Sequence, residues 1–169
     1  MTTALFIGRF QPFHNGHLAV IKQIIEKHSF VIIVIGSTQH ENSVVNPFSV
    51  SERRRMIELT MASEKIVNYK ILEVPDINDY GQWVNHVKKH VSMANLKFDV
   101  VYTGSEITKR LFEEAEDKVE WVKERINCVS STEIRFKITN KEDWQEMVPN
   151  PVFDYIKEIN GEGRIRHLN

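Results

Sequence analysis

The segment Gly8-Arg9-Phe10-Gln11-Pro12-Phe13-His14-Asn15-Gly16-His17 gathers an arginine and two imidazoles in one short stretch. Residue types in this order suit the holding of a polyanion. Gly8 permits a backbone turn and Pro12 stiffens the loop, while Asn15 is the expected cap of a helix whose first turn contains Gly16 and His17. A helix start offers open N–H groups and a partial positive charge, and Gly16 has no side chain to keep a phosphate away. His14 and His17 stand three residues apart, so both rings can turn to the same anion, with Arg9 adding a permanent charge. The chemistry of such a pocket is the binding of a phosphate chain and the stabilisation of its charge.

A second set lies at Ser130-Ser131-Thr132-Glu133-Ile134-Arg135. Hydroxyls at a helix start with an arginine one turn later make another cradle for an anion, although the same residues also read as an ordinary helix cap. Two such sites in one small chain suggest a long polyphosphate. Neither G-x-x-x-x-G-K-[ST] nor a G-x-G-x-x-G after a strand occurs, and the G-x-G of Gly161 and Gly163 reads as a turn.

These groups must be carried by regular elements. Thr3 to Gly8 reads as a buried strand, and Leu18, Ile21, Ile24, Ile25 and His28 then recur at helical spacing. The β-branched run from Phe30 to Gly36 suits a central parallel strand, completing a βαβ unit. Ser49-Val50-Ser51-Glu52 has the form of a capping box and opens a second helix through Met56, Ile57 and Leu59. Further along, strands are expected over Val67 to Val74 and Phe98 to Thr103, and helices over Trp83 to Met93 and Thr108 to Ala115. The tail is expected to hold small helices over Ser130 to Ile138 and Glu142 to Met147, with another opened by Asn150 as cap and Pro151 at its first position. The alternation predicts an α/β fold, a Rossmann-like doubly wound parallel sheet with small C-terminal helices from about residue 130 onward. The charge run from Glu113 to Arg125 alternates in sign and reads as solvated surface.

Composition narrows the class. The 169 residues, 41% of them hydrophobic, suit one domain with one core. With 22 basic against 23 acidic residues the net charge is −1, so neither nucleic acid nor membrane is attracted globally. Cys128 is the only cysteine and lacks the companions of a zinc site, so no bound metal of the chain's own is expected and a reducing compartment fits. Phe30 to Ile35 is far shorter than the roughly 20 apolar residues of a membrane span. With no basic n-region before the first strand, a cleaved signal is not expected either, and the cytoplasm is the expected location.

Taken together, the residues resemble the nucleotidyltransferases of the H-x-G-H superfamily, and within it the archaeal-type nicotinamide-nucleotide adenylyltransferases. The resemblance runs from G-R-F-Q-P-F-H-N-G-H through Gly36-Ser37-Thr38-Gln39, Asn46-Pro47-Phe48 with Glu52-Arg53, Pro75-Asp76-Ile77 with Trp83, Val101-Tyr102-Thr103-Gly104, S-S-T-E-I-R and Ile156 to Gly161. It implies transfer of AMP from ATP to nicotinamide mononucleotide, forming NAD and pyrophosphate, with Mg²⁺ or another divalent cation accompanying ATP. It implies an ATP site of Gly8, Arg9, Phe10, His14, Gly16, His17, Gly104, Ser131, Thr132 and Arg135, in which His14, His17 and Arg135 are catalytic. It implies a mononucleotide site of Gly36, Ser37, Asp76 and Trp83, and a homo-oligomer. The chain departs from the pattern at Glu41-Asn42-Ser43, where relatives often carry Ser-His, and at Ser105, where they often carry asparagine. An acceptor such as FMN or pantetheine phosphate, or a non-catalytic NAD or ATP sensor, stays open beside the nicotinamide reading.

Overall fold

The computed structural model describes residues 1–122 and 129–168, so Cys128 and the last three residues of the 113–125 charge run lie outside the described residues. The chain divides into two compact units, each assembled from non-contiguous segments.

The first unit comprises Met1–Gly8, Ile21–Thr38 and Asn68–Glu124. Its centre is a parallel sheet of β1 (Thr3–Gly8), β2 (Phe30–Ile35), β3 (Tyr69–Glu73), β4 (Val100–Thr103) and β5 (Val119–Trp121) in the order β3-β2-β1-β4-β5. Leu5 lies opposite both Ile32 and Val101, which fixes the register of the three inner strands. These strands are buried except at the ends of β1 and the first residue of β2, as the apolar runs of β1 and β2 require of a sheet covered on both faces. The strand order reverses at β1, the arrangement of a Rossmann-like fold, whose ligands gather beyond the carboxyl ends of the strands. Leu5, Ile32, Val34, Val84, Val87, Val101 and Phe112 form its core together with α3 (Tyr80–Met93) and α4 (Glu106–Glu114). Both helices start earlier than the apolar spacing suggests, because Asp79 and Ser105 accept the N–H groups of Gln82 and Thr108 and so stabilise an extra polar turn.

Within the supposed surface run, Val119–Trp121 is in fact the fifth strand, hydrogen-bonded beside β4. A three-residue edge strand among charges has no periodicity to betray it.

The second unit comprises Arg9–Val20, Gln39–Val67 and Arg125–Asn169. It holds the start of α1 (Asn15–Lys27), together with α2 (Val50–Ser63), α5 (Ser131–Thr139), α6 (Asn150–Glu158) and α7 (Gly161–Leu168). The capping box is present as read: Ser49 accepts from Glu52 N–H and the Glu52 carboxylate accepts from Ser49 N–H. Of the helix expected over 142–147 only a 3-10 turn at Gln145–Met147 forms. Asn150 is the first residue of α6 and not its cap, which falls to the Pro149 carbonyl.

The Gly161 and Gly163 pair lies in a helix, not in a turn. A Cβ at Gly161 would stand 2.9 Å from both Ile156 Cγ2 and Phe48 Cε1, so glycine is required by packing. Arg164 then binds Glu52 through two bonds of 2.6 and 2.8 Å and also donates to the Pro47 carbonyl. Burial of Glu52 opposes ionisation, but its bonds to Arg164 and Ser49 outweigh that and hold its carboxyl below the ordinary range. Among the described residues no helix is long and apolar enough to cross a membrane.

Candidate functional site

The phosphate-site candidates of the second unit are built on the loop from Arg9 to His14. The left-handed residue of this loop is Phe10, at φ 54°, and not Gly8, which ends β1 with an ordinary φ. Phe10 is buried, so it can offer an anion its main chain but not its ring. The peptide between Gln11 and Pro12 is cis.

The helix cap also differs from expectation. Asn15 is the first helical residue, and its amide donates to the Glu146 carbonyl. The cap is made by the histidines themselves: His14 N–H donates to His17 Nδ1 at 3.2 Å and His17 N–H donates to His14 Nδ1 at 3.4 Å. This is a capping box with imidazoles in place of hydroxyl and carboxylate. The rings stack with centroids 3.6 Å apart, and Phe10 and Phe13 pack on His17.

The reciprocal bonds decide the chemical form of the pair. A ring nitrogen that accepts an N–H carries no proton, so the proton of each neutral ring sits on Nε2 and both rings are donors through that atom. Burial lowers the His14 pKa from 6.5 to about 4. Burial, and then the adjacent His14, push His17 well below its ordinary value. Protonation would also set Nδ1–H against a main-chain N–H. A depressed histidine stabilises the fold fully above its unfolded value, so His14's contribution is lost as pH falls from 6.5 toward about 4.

Arg135 is buried, with Nη1 donating to the Gln11 carbonyl at 2.7 Å and Nη2 to Thr132 Oγ1 at 3.4 Å. Burial and then the charge of Arg9 lower its pKa, so two guanidinium groups share one neighbourhood. Ser130 is the cap of α5, and the Ser131 hydroxyl donates its proton to the Pro12 carbonyl at 3.0 Å. Ser131 therefore supports the loop, and an anion would meet its main-chain N–H and the exposed Thr132. Gly16 is buried in the first turn of α1.

Sequence reasoning assigned no task to Gln11 or Arg53. The Gln11 amide donates to the Phe48 carbonyl at 2.8 Å and accepts from Phe48 N–H at 2.9 Å. Arg53, wholly buried in α2, donates to the carbonyls of Ser49 and Arg9 at 3.3 and 3.0 Å. The Glu-Arg pair at 52–53 was the only signal, and it carried no spacing that named a partner.

The first unit holds the remaining candidates. Gly36 follows β2 and its N–H donates to the Gly8 carbonyl. Ser37, at φ 51°, donates from Oγ to Asp76 Oδ2 at 2.6 Å, so two residues assigned to one site are in contact. His86 Nε2–H donates to the Pro75 carbonyl, fixing the chain just before Asp76. Trp83, half-buried on α3, meets Phe112 edge to face with centroids 5.8 Å apart. Gly104 is exposed after β4, and Ser105, where relatives often have asparagine, caps α4 as asparagine also can. Among the described residues no group of three or more His, Cys, Asp or Glu side chains could hold a metal ion.

Comparison with known proteins agrees with this picture. Residues 5–137 match the family model described as Cytidylyltransferase-like. A nicotinamide-nucleotide adenylyltransferase of Thermoplasma acidophilum is 41% identical, over 98% of this chain and 91% of its own. One from Methanococcus aeolicus is 42% identical, over 98% and 94%. The crystal structure of a bifunctional NMN adenylyltransferase/ADP ribose pyrophosphatase from Francisella tularensis, complexed with AMP and a manganese ion, superposes with a TM-score of 0.76 at 26% identity. That match covers 99% of this chain and 52% of the other, so the chain spans about half the length of the bifunctional protein. The chain therefore belongs to the Cytidylyltransferase-like family and, within it, to the nicotinamide-nucleotide adenylyltransferases.

Proposed function

We propose that this chain transfers the adenylyl group of ATP to nicotinamide mononucleotide, forming NAD and pyrophosphate. A phosphate-handling set of Arg9, His14, His17, Thr132 and Arg135, in a chain 41% identical to a nicotinamide-nucleotide adenylyltransferase along nearly its whole length, is the observation that carries this reading.

The mononucleotide's 5′-phosphate has a second pKa near 6, so it arrives as an anion and needs no base. One of its oxygens attacks the α-phosphorus of ATP. The bond from that phosphorus to the α,β-bridging oxygen breaks, and the electron pair leaves with pyrophosphate. The protein's task is alignment and the stabilisation of charge on the departing phosphates. Arg9 and Arg135, like charges in one neighbourhood, are relieved by such a polyanion. The Nε2–H donors of His14 and His17 add hydrogen bonds without adding charge. The divalent cation belongs to the substrate, as Mg-ATP, since such ions are commonly held by phosphates and water.

On the acceptor side, Asp76, held by Ser37, is the polar contact and Trp83 the stacking surface. Pyrophosphate release tests the whole reading, with Mg-ATP and, in turn, nicotinamide mononucleotide, its acid analogue, FMN and pantetheine phosphate. Release is expected with the first; silence with all four would overturn the enzyme reading, and release with FMN or pantetheine phosphate alone would overturn the acceptor.

Neutral histidines also dictate a pH response. Between about pH 7.5 and 9 an imidazolium of ordinary pKa near 6.5 would lose roughly 30-fold of its charged population. The dissociation constant for Mg-ATP is instead expected to stay within about twofold over that range. A steep weakening, measured by calorimetry, would show that ATP is held by protonated rings.

A further inference from the structure

We infer that Arg53 is a positioning residue for the ATP phosphates, acting through the main chain of the Arg9–His14 loop; this rests on the reading of that loop as the phosphate site. Arg53 is the largest fully buried side chain among the described residues. A buried cation is tolerated only where hydrogen bonds replace its water. Its bonds from Nε and Nη1 run to two main-chain oxygens, Ser49 O at the cap of α2 and Arg9 O.

Arg9 O belongs to the peptide that leads into Phe10, whose φ of 54° is unfavourable for an aromatic residue. Something must hold that peptide. On its near side Arg53 grips the oxygen, and on its far side the Gln11 amide is paired with both main-chain groups of Phe48. The next oxygens are engaged as well, Gln11 O by Arg135 and Pro12 O by Ser131. The oxygens of Arg9, Gln11 and Pro12 thus face donors on α2 and α5. An oxygen turned instead toward a phosphate would repel it, and rotation of the 9–10 peptide would carry the Arg9 side chain with it.

Arg135 and Ser131 are themselves assigned to ATP, so their loss would confound two effects. Arg53 separates them, because its bonds from Nε and Nη1 end on the main chain. Arg53→Met keeps most of the side-chain volume and removes the donors. The Met variant, checked for folding by thermal melt, is expected to raise KM for ATP about tenfold, the scale of one charge-assisted hydrogen bond. KM for nicotinamide mononucleotide should change less than about twofold, and Arg53→Lys, which retains a cationic donor group, should recover most of the loss. If the Met variant does not fold, a smaller rise in KM for ATP with the same selectivity, about threefold, is expected of Arg53→Lys, because an ammonium replaces the guanidinium's fixed fork of donors only in part. A folded Met variant with unchanged KM for ATP, or a rise shared equally by both substrates, would overturn the inference. So would a Lys variant, used alone, that leaves both values unchanged or raises both equally. Wild-type protein that releases no pyrophosphate would refute the phosphate-site reading itself, whereas active wild type with an unaffected Met variant refutes only the role of Arg53.

Discussion

His17→Ala is expected to lower kcat by about 10²–10³, the usual cost of about 2.7–4 kcal/mol for one well-placed donor to a developing anion. The structure shows that this substitution removes more than the Nε2–H donor. His17 Nδ1 accepts the His14 N–H, and the ring lies against His14, Phe10 and Phe13. Alanine therefore also breaks half of a capping box, typically about 1 kcal/mol, and lowers Tm by a few degrees. His17→Glu divides the two effects. Glutamate at the third helical position accepts the cap N–H as the histidine does, but when ionised it carries no donor and adds a negative charge. Steady-state kinetics should find the Glu variant at least as slow as the Ala variant, with a melting temperature closer to wild type. A Glu variant turning over at the wild-type rate would reduce His17 to a helix cap.

That double duty explains what the residue pattern made legible and what it did not. The strand, loop and helix around Gly8 to His17 followed from the apolar runs and the structure has them, although the left-handed residue of the loop is Phe10 and not Gly8. The cap did not follow, because asparagine is a common cap and histidine an uncommon one, and the local preference pointed to Asn15. The Asn15 amide is drawn off to the Glu146 carbonyl, a contact across 131 positions that no local rule contains. The capping box at Ser49 and Glu52 was read correctly because both partners lie within one turn. Helix α7 was missed for the opposite reason: its glycines argue against a helix locally, while Ile165, the Arg164 and Glu52 pair and the close packing at Gly161 form one.

The same division runs through the candidate site. Its charged residues were visible as residue types after a strand or at a helix start. The groups that hold the loop were not, because a side chain donating to a distant main-chain oxygen leaves no periodicity. Arg53 reaches Arg9 across 44 positions and Arg135 reaches Gln11 across 124. Ser37 and Asp76, 39 positions apart, were assigned to one site by resemblance, and their 2.6 Å contact supplies a physical reason for treating them together.

Trp83 is where a structural role and the proposed stacking role would overlap most. It packs edge to face on Phe112 and against the core of the first unit, which alone would account for a tryptophan on α3. The residue is only half-buried, so it is not wholly consumed by the core. Stacking of a base on an aromatic side chain is worth about 1–3 kcal/mol. Trp83→Ala is therefore expected to raise KM for nicotinamide mononucleotide roughly 5- to 150-fold while KM for ATP changes by less than about twofold. Truncating a half-buried aromatic will also lower Tm, since full burial would cost about 3–5 kcal/mol and part of that applies here. Trp83→Phe keeps a ring against Phe112 and a face for the ligand, so it should recover most of the affinity for the mononucleotide. The comparison turns on selectivity: a core residue, once lost, loosens the fold and penalises both substrates alike, whereas a stacking residue penalises the one with the pyridine ring. Equal losses for ATP and mononucleotide in the Ala variant would return Trp83 to the core and leave Ser37 and Asp76 to account for the acceptor.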